Sequence, residues 1–146
     1  MDVFQVANYK DYLFDTAKTI FGIDSPTGYY HAVIKKVEEI ATGLGYQFEQ
    51  IEKGCGIITI EGEDNSRTVM MAAHVDTLGL MVRSITPKGE LKFTKIGGPI
   101  LPTLDGEYCR IRTRDGKVYT GTILCESAAV HVHPDASTRA REEESM

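Results

Sequence analysis

Val69-Met-Met-Ala-Ala-His-Val-Asp-Thr-Leu-Gly-Leu-Met-Val82 is apolar almost throughout, yet it carries His74 and Asp76 near its centre. The run Thr68 to Ala73 shows no polar alternation after its first residue, which is the pattern of a central strand covered on both faces. At the carboxyl end of such a strand in an open α/β sheet, side chains emerge into the crevice where ligands bind. Strand side chains alternate, so positions 74 and 76 point to one side, about 7 Å apart along the chain. At that distance a carboxylate can turn back and hydrogen-bond one imidazole nitrogen while the other faces a metal. The competing reading is a buried His-Asp pair that only satisfies itself, because short motifs recur by chance.

Upstream of this stretch the chain reads as helical. From Tyr9 the apolar residues Tyr9, Leu13, Ala17, Ile20 and Phe21 recur every three or four positions, with Asn8 as N-cap and Asp11 as its capping-box-like partner. Gly22 and Pro26 end that helix. A second helix fits Tyr30 to Leu44, where Val33, Ile34, Val37, Ile40, Ala41 and Leu44 form one apolar face; Gly45 then stands where a left-handed cap belongs. From Tyr46 the period becomes two, through Phe48 and Ile51, a break at Gly54-Cys-Gly56, a resumption at Ile57 to Ile60, and a polar turn over Glu61 to Ser66. Two helices ahead of such strands imply an α/β layer, two helices packed on a mixed sheet.

Downstream the texture changes. Leu80 to Ile85, Leu91 to Ile96, Tyr108 to Thr113 and Val118 to Leu124 read as short strands separated by Pro87-Lys-Gly89, Gly97-Gly-Pro99 and Arg114-Asp-Gly116. Turn signals at that density predict a small sandwich or barrel. The expected fold is therefore an α/β portion over 1–80 followed by a small all-β, barrel-like domain over 81–146, itself incomplete. The charged end, Thr138 to Met146, reads as a solvated loop or the start of a helix.

The whole chain narrows the function classes. Its 146 residues suffice for one ordinary domain or two small ones. A net charge of -5 argues against a phosphate-tracking basic face, so nucleic acid is set aside. The amino-terminal residues lack a basic region followed by an apolar core, and apolar runs fall short of the ~20 residues a bilayer demands; a cytoplasmic protein without membrane contact is expected. Cys55, Cys109 and Cys125 are odd in number and form no CxxC pair, which points to free thiols buried in strands.

Other chemistry-bearing residues are weaker candidates. His131 and His133 form an H-x-H pair with Asp135 as a third ligand type, yet Pro134 and the polar residues after it read as an exposed loop. His31 lies on the second helix and reads as surface or packing. No G-x-S-x-G occurs to make a serine nucleophile of Ser25, Ser66, Ser84 or Ser127. Gly54-Cys-Gly56 and Gly97-Gly98 are too sparse for a phosphate loop.

The order of motifs resembles the N-terminal half of the glutamyl or tetrahedral aminopeptidases, peptidase family forty-two of the metallo class. The matching features are Ser25-Pro-Thr-Gly-Tyr29 after the first helix, Met71 through Val82, Gly89 through Phe93, and Ile96-Gly-Gly98, together spanning about residues 9 to 133. The resemblance implies a cytoplasmic metallopeptidase acting on peptides, whose α/β exopeptidase domain is interrupted by an inserted β-barrel dimerisation domain. It implies two zinc or cobalt ions, His74 as a ligand to one of them, and Asp76 as the catalytic-site carboxylate that orients the imidazole. A homo-oligomer assembled through the β domain, typically a dodecamer, is implied as well.

Two departures from the family pattern bear on the site. Thr77 stands where Glu commonly follows the Asp, and the bridging Asp, the general-base Glu and the remaining ligands belong to a C-terminal half that these residues do not include. A catalytic zinc takes about three protein ligands. The expectation is an N-terminal portion of a co-catalytic dinuclear aminopeptidase, a fragment inactive by itself. The alternatives are a non-enzymatic oligomerisation module with a relic metal site, and a related di-zinc exopeptidase or deacylase, whose sister family shares H-x-D but places its dimerisation domain later.

Overall fold

The structure, a computed structural model, describes residues 9–146. The chain divides between Thr77 and Leu78 into two compact units.

The first unit holds both helices. Helix α1 spans Lys10–Phe21 and helix α2 spans His31–Gly43, as the apolar spacing predicts. No side chain caps α1 at Tyr9; the expected cap, Asn8, lies outside the described residues. Asp11 sits in the first turn of α1, where its charge favours the unpaired N–H groups of the helix start. Helix α2 buries Val33, Ile34 and Ala41, and Gly45 takes the left-handed conformation expected of it, φ 84°, just after the helix. Strand β1, Gln47–Gln50, pairs antiparallel with β2, Gly56–Thr59, with Phe48 opposite Ile58. Helix α2 packs on both strands, and Ile20, Val37, Ile40, Tyr46 and Ile58 line an apolar groove between the helices and this hairpin.

The expected mixed sheet is not formed among the described residues. Every sheet is a two-stranded antiparallel hairpin, and the parallel pairing is confined to one isolated bridge between Pro26 and Thr77. Thr68 to Ala73, read as a central strand, joins no ladder. Val69, Met70 and Met71 are 90%, 85% and 95% exposed. The physical reason is the absence of a neighbour: β1 and β2 satisfy one another, and an apolar strand needs flanking strands and a layer on each face before its pattern is realised.

The second unit consists of two further hairpins. Strand β3, Gly79–Ile85, pairs with β4, Leu91–Ile96, with a bulge between Val82 and Ser84. Strand β5, Tyr108–Arg112, pairs with β6, Val118–Thr122; Gly106 N–H to Ile123 O and Ile123 N–H to Glu107 O extend that ladder. All four strands fall within two residues of their expected ends, but they remain separate two-stranded sheets and do not close into a barrel. Phe93, Leu101, Cys125 and Met146 form the buried cluster, with Leu80, Leu104 and Ile123 against it.

The end of the chain corrects a second expectation. Thr138 to Met146 is not wholly solvated: Ser145 and Met146 are buried, and most of the charges in this run are tied to the rest of the second unit. Arg141 donates to Asp105 at 2.9 Å, Arg139 to Glu126 at 3.0 Å, and Arg83 to Glu144 at 2.8 Å. Glu143 accepts from the Lys95 N–H and the Thr94 hydroxyl, each at 3.2 Å. A run that looks like a wet face in sequence is held because Arg139, Arg141 and Glu144 find opposite charges, and Glu143 finds two neutral donors, within the second unit. No helix among the described residues is long and apolar enough to cross a membrane.

Asp105 ties this arrangement together by accepting from the Cys125 N–H at 3.0 Å as well as from Arg141. The Cys125 N–H, then Arg141, hold its carboxyl below the usual range. A depressed folded-state pKa contributes stability that is complete above the unfolded value of about 3.9 and is lost as pH falls through the folded one. Thermal unfolding followed by circular dichroism should therefore show a midpoint that drops as pH is lowered from about 5 towards 3. Asp105→Ala, which orphans the Cys125 N–H, should cost about 1–3 kcal/mol at neutral pH and flatten that acid dependence.

Candidate functional site

The site is built from two segments that lie far apart in sequence. Ser25 is 1% exposed; its hydroxyl donates to Val75 O at 2.8 Å, and its carbonyl accepts from the Thr77 N–H at 2.9 Å. Two bonds from one residue thus hold the backbone on either side of Asp76. The next residues form a tight turn, closed by the Tyr29 N–H donating to Pro26 O at 2.7 Å. Gly28, its third residue, has φ 93°, the sign that a type II turn demands there. A Cβ at Gly28 would meet nothing within 4 Å, so backbone conformation and not space asks for glycine at this position.

That turn aims Thr27 at the polar pair. The Thr27 hydroxyl donates to Asp76 Oδ2 at 2.7 Å, and Asp76 Oδ1 lies 3.0 Å from His74 Nδ1. The hydroxyl of Thr27, and after it the imidazole of His74, hold the Asp76 carboxyl below the ordinary carboxylate range. An ionised carboxylate offers acceptors only, so Nδ1 of a neutral His74 carries the proton and Nε2 keeps its lone pair. The His74 side chain is 86% exposed, and among the described residues Nε2 has no partner.

The structure brings His74 and Asp76 together and leaves the other candidates apart. His131 and Asp135 are exposed in a series of turns, and Asp135 is drawn to Arg139 at 3.5 Å. Among the described residues no three His, Cys, Asp or Glu side chains gather closely enough to hold a metal. His31 is exposed, its ring 4.4 Å from that of Tyr30. All three cysteines are free. Burial in strands holds for none of them fully: Cys125 is buried just beyond β6, Cys109 in β5 is half-buried, and Cys55 is exposed just ahead of β2.

Reading the sequence alone misses the part played by Ser25 and Thr27. A proline and a glycine flanking a hydroxyl residue, Pro26-Thr27-Gly28, announce a turn, but not what the turn faces 49 residues later.

Known proteins match both the sequence and the fold. YhfE of Bacillus subtilis strain 168, provisionally named an aminopeptidase, is 43% identical over 129 residues, covering 88% of this chain and 37% of that protein. The crystal structure of a TET aminopeptidase from the marine sediment archaeon Thaumarchaeota archaeon SCGC AB-539-E09 superposes with a TM-score of 0.79 at 26% identity, over 91% of this chain and 37% of that one. The TET1 peptidase of Pyrococcus horikoshii, which can assemble into a tetrahedron or a large octahedral shell, does so with a TM-score of 0.65 at 25% identity, over 76% of this chain and 32% of its own. The fold, two helices with small antiparallel sheets, is thus that of the TET aminopeptidases. The sequence model of the M42 glutamyl aminopeptidases matches residues 54–146, and the chain belongs to that family. It spans about a third of the length of these relatives.

Because Ser25 is buried, Ser25→Ala, which keeps the carbonyl bond to Thr77 but removes the hydroxyl bond to Val75 O, should destabilise the first unit by about 1–2 kcal/mol. Amide exchange at Thr77 should quicken in that variant, while exchange in the β5–β6 hairpin stays unchanged.

Proposed function

We propose that the chain is the N-terminal portion of an aminopeptidase that removes N-terminal residues from peptides with the help of two divalent metal ions, zinc or cobalt. His74 binds one ion through Nε2, and Asp76 holds the imidazole by Nδ1. The observation that carries this reading is the His74–Asp76 contact at 3.0 Å, with the far nitrogen turned to solvent, inside the stretch that matches the family. Imidazole suits either metal, and a carboxylate behind a ligating histidine is the usual means of fixing its tautomer and raising its basicity.

The donors present fit one ligand and its support, not a whole centre. A catalytic zinc takes about three protein ligands, and no such group gathers among the described residues. When bound, a metal pair supplies polarisation of a carbonyl oxygen and a more acidic water. What these residues contribute is narrower: His74 presents an unprotonated nitrogen, Asp76 keeps the proton on the opposite one, and the Ser25–Thr27 turn holds both in place. The 146 residues alone are inactive on this reading. The hairpins of the second unit belong to the region through which subunits pair, a reading supported by the shells that the Pyrococcus horikoshii relative forms, and the parent works in the cytoplasm as a homo-oligomer.

A peptidase assay tests the reading. The chain supplied with zinc or cobalt should show no turnover; metal-dependent turnover that disappears in His74→Ala would overturn its inactivity. In a full-length parent, His74→Ala should abolish hydrolysis of aminoacyl substrates. Asp76→Asn should lower metal affinity by about 10–100-fold, measured by competition with a chromogenic chelator.

A further inference from the structure

We propose that Thr27 is a positioning residue for the metal-binding imidazole: by donating to Asp76 it fixes which nitrogen of His74 is left unprotonated before any metal arrives. The inference rests on the reading of His74 as a ligand and adds the element that prepares it.

The geometry carries the argument. His74 is almost fully exposed, and among the described residues its one bond is to Asp76. Asp76 is itself half-exposed, so its carboxylate is not confined by packing. A carboxylate bonded only to a mobile imidazole would turn with it, and the pair would sample many arrangements. The bond from Thr27 to Oδ2 at 2.7 Å connects this couple to a part of the chain that cannot turn. Thr27 follows directly on the buried, doubly bonded Ser25 and precedes Gly28, whose positive φ closes the turn. With Oδ2 engaged by Thr27, Oδ1 is directed at Nδ1, and the tautomer that exposes the Nε2 lone pair is selected by the hydrogen bond at the other nitrogen.

Thr27 is exposed, so its replacement leaves the core intact. Thr27→Val removes the hydroxyl at nearly constant volume, and Thr27→Ser keeps it. Gly28→Ala introduces a methyl group that meets nothing but opposes the positive φ, so it shifts Thr27 without touching its hydroxyl.

The test is nitrogen NMR of the metal-free 146-residue chain labelled with 15N-histidine, at alkaline pH. Wild type and Thr27→Ser should show His74 as the Nδ1–H tautomer. Thr27→Val and Gly28→Ala should show a mixture in which Nε2–H predominates, with the amide spectrum of the second unit unchanged. In a full-length parent, Thr27→Val should weaken metal binding by about 10–100-fold and Thr27→Ser should restore it.

A Thr27→Val chain whose His74 stays wholly Nδ1–H would overturn the proposal, as would a Thr27→Ser chain that behaves like Thr27→Val. Neither result touches the aminopeptidase reading. That reading fails separately, if His74→Ala leaves the metal content of the parent unchanged while Thr27 still controls the tautomer.

Discussion

The two bonds that Ser25 makes to the backbone around Asp76 are the constraint on which the site depends. Residues Thr68 to Ala73 belong to no ladder, so no sheet holds the chain as it approaches His74. The Ser25 hydroxyl on Val75 and the Ser25 carbonyl on Thr77 take over that task. Each bond contributes only about 0.5–1.5 kcal/mol net. Because Ser25 is buried, however, releasing it would leave its polar groups without water, and that penalty makes a small interaction decisive.

The second unit reaches order by a different route. Its buried cluster is small, four residues with three more against it, and its polar groups are tied by charge. Glu126 is shared between Lys92 and Arg139, and Asp105 between the Cys125 N–H and Arg141. The side chains at these pairs are partly exposed, where a single ion pair contributes little. Their effect comes from convergence: Arg139, Arg141, Glu143 and Glu144 each fasten one point of the same short segment. Met146 can then reach the core beside Phe93 and Leu101.

What the sequence reveals follows the range of the interaction concerned. Helices α1 and α2 and the hairpins β3–β4 and β5–β6 were legible because periodicity, turn glycines and caps act over a few residues. Thr68 to Ala73 was misread because its apolar pattern states that cover is needed, not that cover is at hand. The charged end was misread for the complementary reason, since Arg141 meets Asp105 across 36 residues and nothing local marks the pair. At the site, His74 and Asp76 stood out as polar residues in an apolar run, whereas Thr27 did not; a hydroxyl in a turn is ordinary until its acceptor is known. The family likeness supplied the order of the motifs, but the structure shows how the first of them touches the second.

The separation of 49 to 50 residues between the turn and the couple it holds also sets an order of events. Helices and hairpins close short loops and form early, while contacts across long stretches pay their loop-closure entropy first. The turn leaves the ribosome well before its acceptors, by roughly 3–10 s at synthesis rates of about 5–20 residues per second. A newly made chain therefore carries its histidine and aspartate as an ordinary flexible pair until α1, α2 and the first hairpin have settled. The support that Ser25 and Thr27 give to this couple is therefore a late property of the molecule, acquired only on completion of the first unit.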